Sequence, residues 1–71
     1  MKVIRLNLDK LLSESGTTRY QLSKDTGINY PTIDKYYKNK VIRYDSYILL
    51  KICTSLNCGI EELIEIKEVD E

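Results

Sequence analysis

The segment formed by residues 18–38 constrains the fold of this chain more than any other part of it. Thr18 and Gln21 have the spacing of a capping box, in which side chains at the start of a helix satisfy its free amides. Gly27 can adopt the positive φ that ends a helix and turns the chain. Asn29 can then cap a second helix. The segment therefore predicts two short helices joined by a tight turn.

Two short helices joined in this way have the layout of a helix-turn-helix, whose second helix enters the major groove of DNA. The second helix begins with Asn29, Tyr30, Pro31 and Thr32. Pro31 is tolerated there because the amides of a first helical turn have no partner within the helix. The polar and aromatic side chains of this turn make a nucleic-acid interface the first hypothesis for function.

Length and composition exclude several other classes of function. The 71 residues make a single domain, residues 1–71, and a chain of this size buries only about 60% of its unfolded surface. The sequence has no His, no Gly-rich phosphate loop and no GxSxG motif. It also has no apolar run of about 18 residues and no signal-peptide pattern at its N-terminus. We expect a cytoplasmic protein with no catalytic activity, no cofactor and no membrane span.

Three further short helices are predicted around this segment. Asn7 can cap the first of them, which buries Leu8, Leu11 and Leu12 and ends at Gly16.

The other two helices follow residue 44. Asp45 or Ser46 caps one whose apolar residues recur at i, i+3, i+4 and i+7, namely Leu49, Ile52, Cys53 and Leu56. After a turn at residues 57–59, a last short helix contains Ile60, Leu63 and Ile64. Acidic residues near its N-terminus interact favourably with the helix dipole.

The two ends of the chain alternate between apolar and polar residues, which is the period of a strand. The alternation covers residues 2–6 and 63–69. Frayed ends are one interpretation. The other is an antiparallel ribbon, formed beside the helices or between two chains. The predicted fold class is therefore all-α, with five short helices and an optional two-stranded β ribbon from the two termini.

Cys53 and Cys58 lie five residues apart around the end of a predicted helix. Two thiols without a His cannot complete a structural zinc site of four ligands, so no metal site is predicted. The spacing places them on poorly facing sides of a helix, which disfavours a disulfide. We interpret both as small buried hydrophobic residues in a reducing compartment.

The formal net charge of zero hides an uneven distribution of charge. Residues 17–43 contain six cations and two acidic residues, a net charge of +4. Residues 59–71 contain six acidic residues and one cation, a net charge of −5, and the acidic tail occupies about residues 65–71. The positive part of the chain therefore coincides with the predicted DNA-facing segment, although the basic patch is modest.

A pattern of apolar and small residues in this segment resembles the lambda-repressor-like helix-turn-helix family, also called XRE or Cro/CI-type. The residues that carry it are Leu22, Ser23, Gly27, Ile28 and Ile33. The apolar members lock the two helices together, and Ser23 is small because the helices cross closely there. The run of residues 49–63 is similar to the fourth and fifth helices of small stand-alone members, so the resemblance covers about residues 7–64. Tyr30 and Pro31 depart from the pattern, since polar residues are commoner there.

The resemblance implies a sequence-specific transcriptional regulator of bacterial, phage or mobile-element origin, which binds a palindromic operator in double-stranded DNA as a homodimer. We expect a repressor, and the position of the operator relative to the promoter decides between repression and activation. The resemblance also implies that Arg19 touches a phosphate or supports the second helix, which residues 29–38 form. The candidates for the groove are Asn29, Tyr30, Pro31, Thr32, Asp34 and Lys35. The candidates for clamping the DNA backbone are Lys38, Asn39, Lys40 and Arg43.

Asp34 has two interpretations. Its carboxylate can accept a hydrogen bond from cytosine N4, but the phosphates of DNA repel it. We favour a surface ion pair with Lys35 or with Lys38, the latter at i, i+4.

Three tyrosines are expected to have different roles. Tyr30 can meet a thymine methyl group or a phosphate. Tyr36 lies three residues after Ile33 and is expected in the core. Tyr20 can bond a phosphate oxygen or be an ordinary half-buried helix residue.

Two other functions remain open. One is a DNA-binding antitoxin of a toxin–antitoxin pair, for which residues 65–71 offer only a short toxin-binding segment. The other is a protein-interaction adaptor of the same fold without DNA binding, which would suit the neutral total charge. For a homodimer, the predicted pairing surfaces are Ile60, Leu63 and Ile64 of the last helix, and the terminal strands. The modest basic patch suggests that dimerisation is completed only on DNA.

Overall fold

The computed structural model describes residues 1–70, and these residues form five helices and a two-stranded sheet. In chain order the elements are β1 (Lys2–Leu6), α1 (Leu8–Ser15), α2 (Arg19–Thr26), α3 (Tyr30–Tyr37), α4 (Ser46–Leu56), α5 (Ile60–Leu63) and β2 (Ile64–Glu68). This confirms the predicted fold class, including the β ribbon made by the termini. The longest of these helices, α4, has 11 residues, and no helix among residues 1–70 combines the length and apolar character needed to cross a membrane.

The start of α2 follows from local hydrogen bonding. Thr18 Oγ1 accepts a hydrogen bond from the Gln21 backbone amide at 3.0 Å, as expected of an N-cap. The Gln21 side chain does not complete the predicted capping box, because its Nε2 donates instead to Asp25 Oδ1 at 2.8 Å. Gly27 ends the helix with a φ of 74°. The sequence therefore located α2 correctly but not the partner of Gln21.

The ends of α1 and α5 differ from prediction at single residues. Asn7 stands at the N-cap position of α1, but its side chain makes no cap hydrogen bond. Its Nδ2 donates to Glu65 Oε2 at 2.9 Å, which ties the start of α1 to β2. Ile64 was placed in the last helix and is instead the first residue of β2. Leu63 was expected on a pairing surface; this was wrong, because its side chain is fully buried in the core.

The two terminal strands pair antiparallel, with Leu6 opposite Ile64 and Ile4 opposite Ile66. Leu6 is fully buried, so this end of the ribbon is part of the core. The Ile4–Ile66 pair, two residues further along the ribbon, is solvent-exposed, and 72% of Ile66 is accessible. The ribbon is therefore fixed at one end and carries an exposed apolar pair further along it.

The core lies where all five helices and β1 meet. Its buried hydrophobic members are Leu6, Leu8, Leu12, Leu22, Ile33, Tyr36, Ile52, Cys53 and Leu63. Tyr36 is among them, as predicted; its hydroxyl accepts a hydrogen bond from the Asp45 backbone amide at 3.1 Å, and its ring packs edge-on against Tyr44. A buried hydroxyl that has a partner avoids the cost of desolvation without compensation. Tyr36 thus connects α3 to the start of α4.

Cys53 and Cys58 are free thiols, as predicted, but only Cys53 is buried and Cys58 is half-buried. The two residues also do not face apart. Asn57 adopts a left-handed φ of 53° after α4 and returns the chain, so that the Cys58 amide donates to the Cys53 carbonyl at 3.0 Å. Both residues line the same open groove between α4 and α5. Burial raises the pKa of both thiols, that of Cys58 to about 11. At neutral pH both are therefore protonated and poor nucleophiles.

Candidate nucleic-acid interface

Buried apolar side chains join α2 to α3, and a side-chain hydrogen bond ties α2 to the turn between them. Leu22 of α2 and Ile33 of α3 are both fully buried. Ser23 was expected to be small because the helices cross closely; its hydroxyl also donates to the Ile28 carbonyl at 2.5 Å, which ties α2 to the turn. Within α3, Ile33 and Tyr36 are buried and Tyr37 packs partly against the core, whereas Tyr30, Pro31 and Lys35 are exposed and available to a ligand.

The front of α3 presents most of the predicted groove residues to solvent. Tyr30, Pro31 and Lys35 are exposed, and Thr32 is half-buried. Asn29 is also exposed, but its Oδ1 accepts the N-cap hydrogen bond from the Thr32 amide at 3.1 Å. The side-chain oxygen of Asn29 therefore stabilises the start of the helix. Within residues 1–70, the hydroxyls of Tyr30 and Thr32 make no hydrogen bond and can meet an external partner.

Three charged side chains and one aromatic ring form a cluster across α2 and α3. Arg19 Nη1 lies 2.5 Å from Asp34 Oδ1, and Lys38 Nζ lies 3.0 Å from Asp34 Oδ2. The Arg19 guanidinium also lies 4.4 Å from the centre of the Tyr37 ring, within cation–π distance. Lys38, and then Arg19, lower the pKa of Asp34 below its ordinary 3.8 against an opposing effect of burial. Asp34 is thus held as a carboxylate between two cations.

This cluster shows how two of the predicted site residues are paired in the free protein. Asp34 was expected to pair with Lys35 or Lys38, and the structure shows the pair with Lys38. Arg19 was expected to touch a phosphate or support the second helix, and in the free protein it supports α3 through Asp34 and Tyr37. The sequence did not indicate the contact between Arg19 and Asp34, because it joins two helices.

The chain leaves α3 through a left-handed residue, Asn39, with a φ of 59°. The Asn39 amide donates to the Tyr36 carbonyl at 3.3 Å and the Lys40 amide to the Lys35 carbonyl at 3.0 Å, which is the Schellman arrangement. The Asn39 side chain then clamps β1: its Oδ1 accepts from the Leu6 amide at 2.6 Å and its Nδ2 donates to the Leu6 carbonyl at 3.0 Å. The amide predicted to clamp DNA is thus bonded to β1.

Two exposed residues were not among the predicted site residues. Ile42 is 93% exposed and lies in the loop after α3, between the exposed Lys40 and Arg43. Tyr20, predicted as half-buried or phosphate-binding, is mostly exposed, and Lys24 Nζ lies 5.1 Å from the centre of its ring. An apolar residue between two cations, without apolar neighbours at helical spacing, is the sequence signal that could have indicated Ile42. No group of three or more potential metal ligands occurs among residues 1–70.

The arrangement of α2 and α3 defines a helix-turn-helix protein, and comparison with known proteins identifies the family. The family model of the Cro/C1-type HTH DNA-binding domain matches residues 7–68. The chain belongs to this family. The resemblance carried by Leu22, Ser23, Gly27, Ile28 and Ile33 is thereby confirmed, and the match reaches further into β2 than those residues indicated. No curated protein matches this chain.

Two solved structures share the fold. A candidate DNA-binding protein from Bacteroides fragilis is 24% identical, with a TM-score of 0.78 over 89% of this chain and 100% of that chain. The transcriptional regulator VanUg is 28% identical, with a TM-score of 0.75 over 93% of this chain and 87% of that chain. The similarity therefore extends over nearly the whole of both neighbours and is not confined to α2 and α3.

Proposed function

We propose that this protein is a sequence-specific transcriptional regulator, of the repressor type, that reads the major groove of double-stranded DNA with residues 29–38. The observation that carries the proposal is the orientation of α3 within a family-matching domain. Ile33 and Tyr36 fix its inner side, and Tyr30 and Thr32 lie on the side that is free to meet base edges. Tyrosine and threonine can contact the thymine methyl group or donate hydrogen bonds in that groove.

The cations around α3 are proposed to hold the phosphate backbone. Lys35, Lys40 and Arg43 are exposed and form no ion pair among residues 1–70, so they are available to an external anion. Lys38 and Arg19 are shared with Asp34. Phosphate contacts set the position of a protein on the duplex and carry no sequence information directly. The proposal therefore separates positioning residues from base-reading residues, and the two groups are distinguishable by experiment.

The experiment that tests the proposal is selection from randomised duplex DNA, followed by affinity measurements on the enriched site. An enriched palindrome would support both sequence-specific recognition and two-fold symmetry. Lack of enrichment, together with an affinity for DNA that is independent of salt, would overturn the proposal and favour the adaptor function. A promoter-reporter assay with the operator placed over or upstream of the promoter then distinguishes a repressor from an activator.

We expect Tyr30→Ala and Thr32→Ala to cost roughly 1–3 kcal/mol on the selected site and less on random DNA, because they remove contacts to base edges. The matched control is Lys40→Ala, which removes a phosphate contact. It should weaken binding to both DNAs about equally and reduce the salt slope by about one unit. Equal losses on both DNAs for Tyr30→Ala or Thr32→Ala would place that residue among the phosphate contacts.

The working unit is proposed to be a two-fold dimer on a palindromic operator. One copy presents a single α3 and can cover one half-site only. Two copies related by a two-fold axis place their recognition helices about 34 Å apart, on successive major grooves of the same face of the duplex. The exposed apolar residues outside α3 supply surfaces for such pairing.

A further inference from the structure

The two acidic residues of the basic segment, Asp25 and Asp34, have different environments. Asp25 is exposed, and its carboxylate accepts a hydrogen bond from Gln21 and forms no ion pair among residues 1–70. Only 23% of the Asp34 side chain is exposed, and each of its oxygens contacts a different cation, on α2 and at the end of α3. If the two carboxylates served only to lower the net charge of the segment, they would not need such different surroundings.

Asp34 contacts one nitrogen each of Arg19 and Lys38, and its negative charge offsets the positive charge that a DNA phosphate would meet there. Arg19 is held further by the Tyr37 ring, so its guanidinium has a fixed position near the start of α2. The Lys38 side chain is half-exposed and reaches back one helical turn to Asp34. Either cation can engage a phosphate only by sharing or giving up Asp34, and the carboxylate itself repels the phosphate.

We propose that Asp34 is a specificity-determining residue that acts as an internal counterion: it withholds Arg19 and Lys38 from random DNA and fixes α3 on α2 for the operator. This proposal rests on the proposed function. Non-specific binding depends almost entirely on phosphate neutralisation, so an internal counterion weakens it directly. Binding to the operator also depends on the orientation of α3, to which the contacts of Asp34 contribute. The same carboxylate therefore lowers one affinity and supports the other.

The test compares Asp34→Asn with Asp25→Asn, which removes the same charge from the same pair of helices. Binding to the selected operator and to random duplex DNA is measured over a series of salt concentrations. Asp34→Asn should bind random DNA about tenfold more tightly, with a salt slope steeper by about one to two units, since up to two cations are released to phosphates. Its preference for the operator should fall about tenfold. Asp25→Asn should change both affinities together and leave their ratio unchanged.

Two further measurements make each outcome decisive. Asp34→Glu keeps the charge and should restore most of the preference; a variant that behaves like Asp34→Asn would contradict the counterion role. Elution from immobilised heparin reports the release of cations without any operator. If Asp34→Asn elutes later than Asp25→Asn, the counterion role of Asp34 is supported, with or without an operator. If no operator is found, the proposed function and the role of Asp34 in specificity both fail. Equal elution of the two variants, with equal operator preference, overturns the inference whatever the fate of the proposed function. Thermal unfolding of each variant confirms that the fold is retained.

Discussion

At the scale of single residues, Asn39 connects the recognition helix to the terminal ribbon. Its backbone ends α3 in a left-handed conformation, and its side-chain amide satisfies both the amide and the carbonyl of Leu6. Asn is one of the few side chains that tolerates this conformation and also carries a donor and an acceptor. The backbone polar groups of a fully buried residue such as Leu6 need partners. We therefore regard Asn39 as a structural residue.

We expect Asn39→Ala to reduce the free energy of unfolding by about 1–3 kcal/mol, because it leaves two polar groups of β1 without partners. Asn57→Ala is the matched control. Asn57 has nearly the same left-handed φ, and its side chain makes no hydrogen bond among residues 1–70. Both variants place Ala in a left-handed conformation and so share its backbone strain. The difference between their free energies of unfolding, measured by chemical denaturation, is therefore the contribution of the contact with Leu6. Equal losses would show that the contact with Leu6 contributes nothing measurable.

At the scale of elements, α3 is short and depends on few inward contacts. It has eight residues and buries Ile33 and Tyr36. An isolated helix of this length is not stable in water, so its conformation depends on packing against α2 and α1. The orientation of its outer side is therefore a consequence of the core.

We expect Ile33→Ala to cost about 2–5 kcal/mol of stability, as deletions of fully buried side chains do. Lys35→Ala, two residues away on the exposed side of the same helix, should change stability by less than about 0.5 kcal/mol. Thermal and urea unfolding of the two variants compare these effects. A small effect of Ile33→Ala would mean that α3 is positioned by the Arg19–Asp34 contact and the Tyr36 hydroxyl, not by its apolar anchor.

At the scale of the whole molecule, the two signs of charge lie in different parts of the chain. The basic segment surrounds α3, whereas acidic residues follow Gly59. The basic segment itself exposes Ile42, and the other exposed Ile and Leu side chains lie in two places: Ile4 and Ile66 on the ribbon, and Leu50 and Ile60 beside the groove between α4 and α5. Single exposed hydrophobic residues need no explanation, but contiguous ones indicate contact surfaces. A dimer that leaves α3 free for DNA has these two surfaces available.

We expect cooperative binding to a pair of half-sites one helical turn apart and weak binding to an isolated half-site, because one α3 covers one groove segment only. Ile66→Lys and Leu50→Lys then locate the dimer contact. The variant in the true interface should lose the gain from the second half-site, and the other should keep it. Full affinity for an isolated half-site, with no gain from a second, would rule the dimer out.

The sequence alone determined the elements of this protein and the family to which it belongs. Thr18, Gly27 and Asn29 set the limits of α2 and the start of α3 through local capping and backbone preference, which act within a few residues. Apolar spacing placed Ile33 and Tyr36 in the core, and alternation of the termini indicated strands. These signals are local in the chain, and a sequence displays them directly.

Only the tertiary structure decided how the elements are joined. The Arg19–Asp34 pair spans 15 residues and the Asn39–Leu6 clamp spans 33, so neither has a periodic signature in the sequence. The return of Cys58 to Cys53 and the burial of Leu63 depended likewise on where the chain turns after α4. The same local sequence pattern is compatible with several pairings of side chains between helices. Which pairing forms depends on how the whole helices pack. The role of a charged residue such as Asp34 follows from that packing and not from its position in the chain.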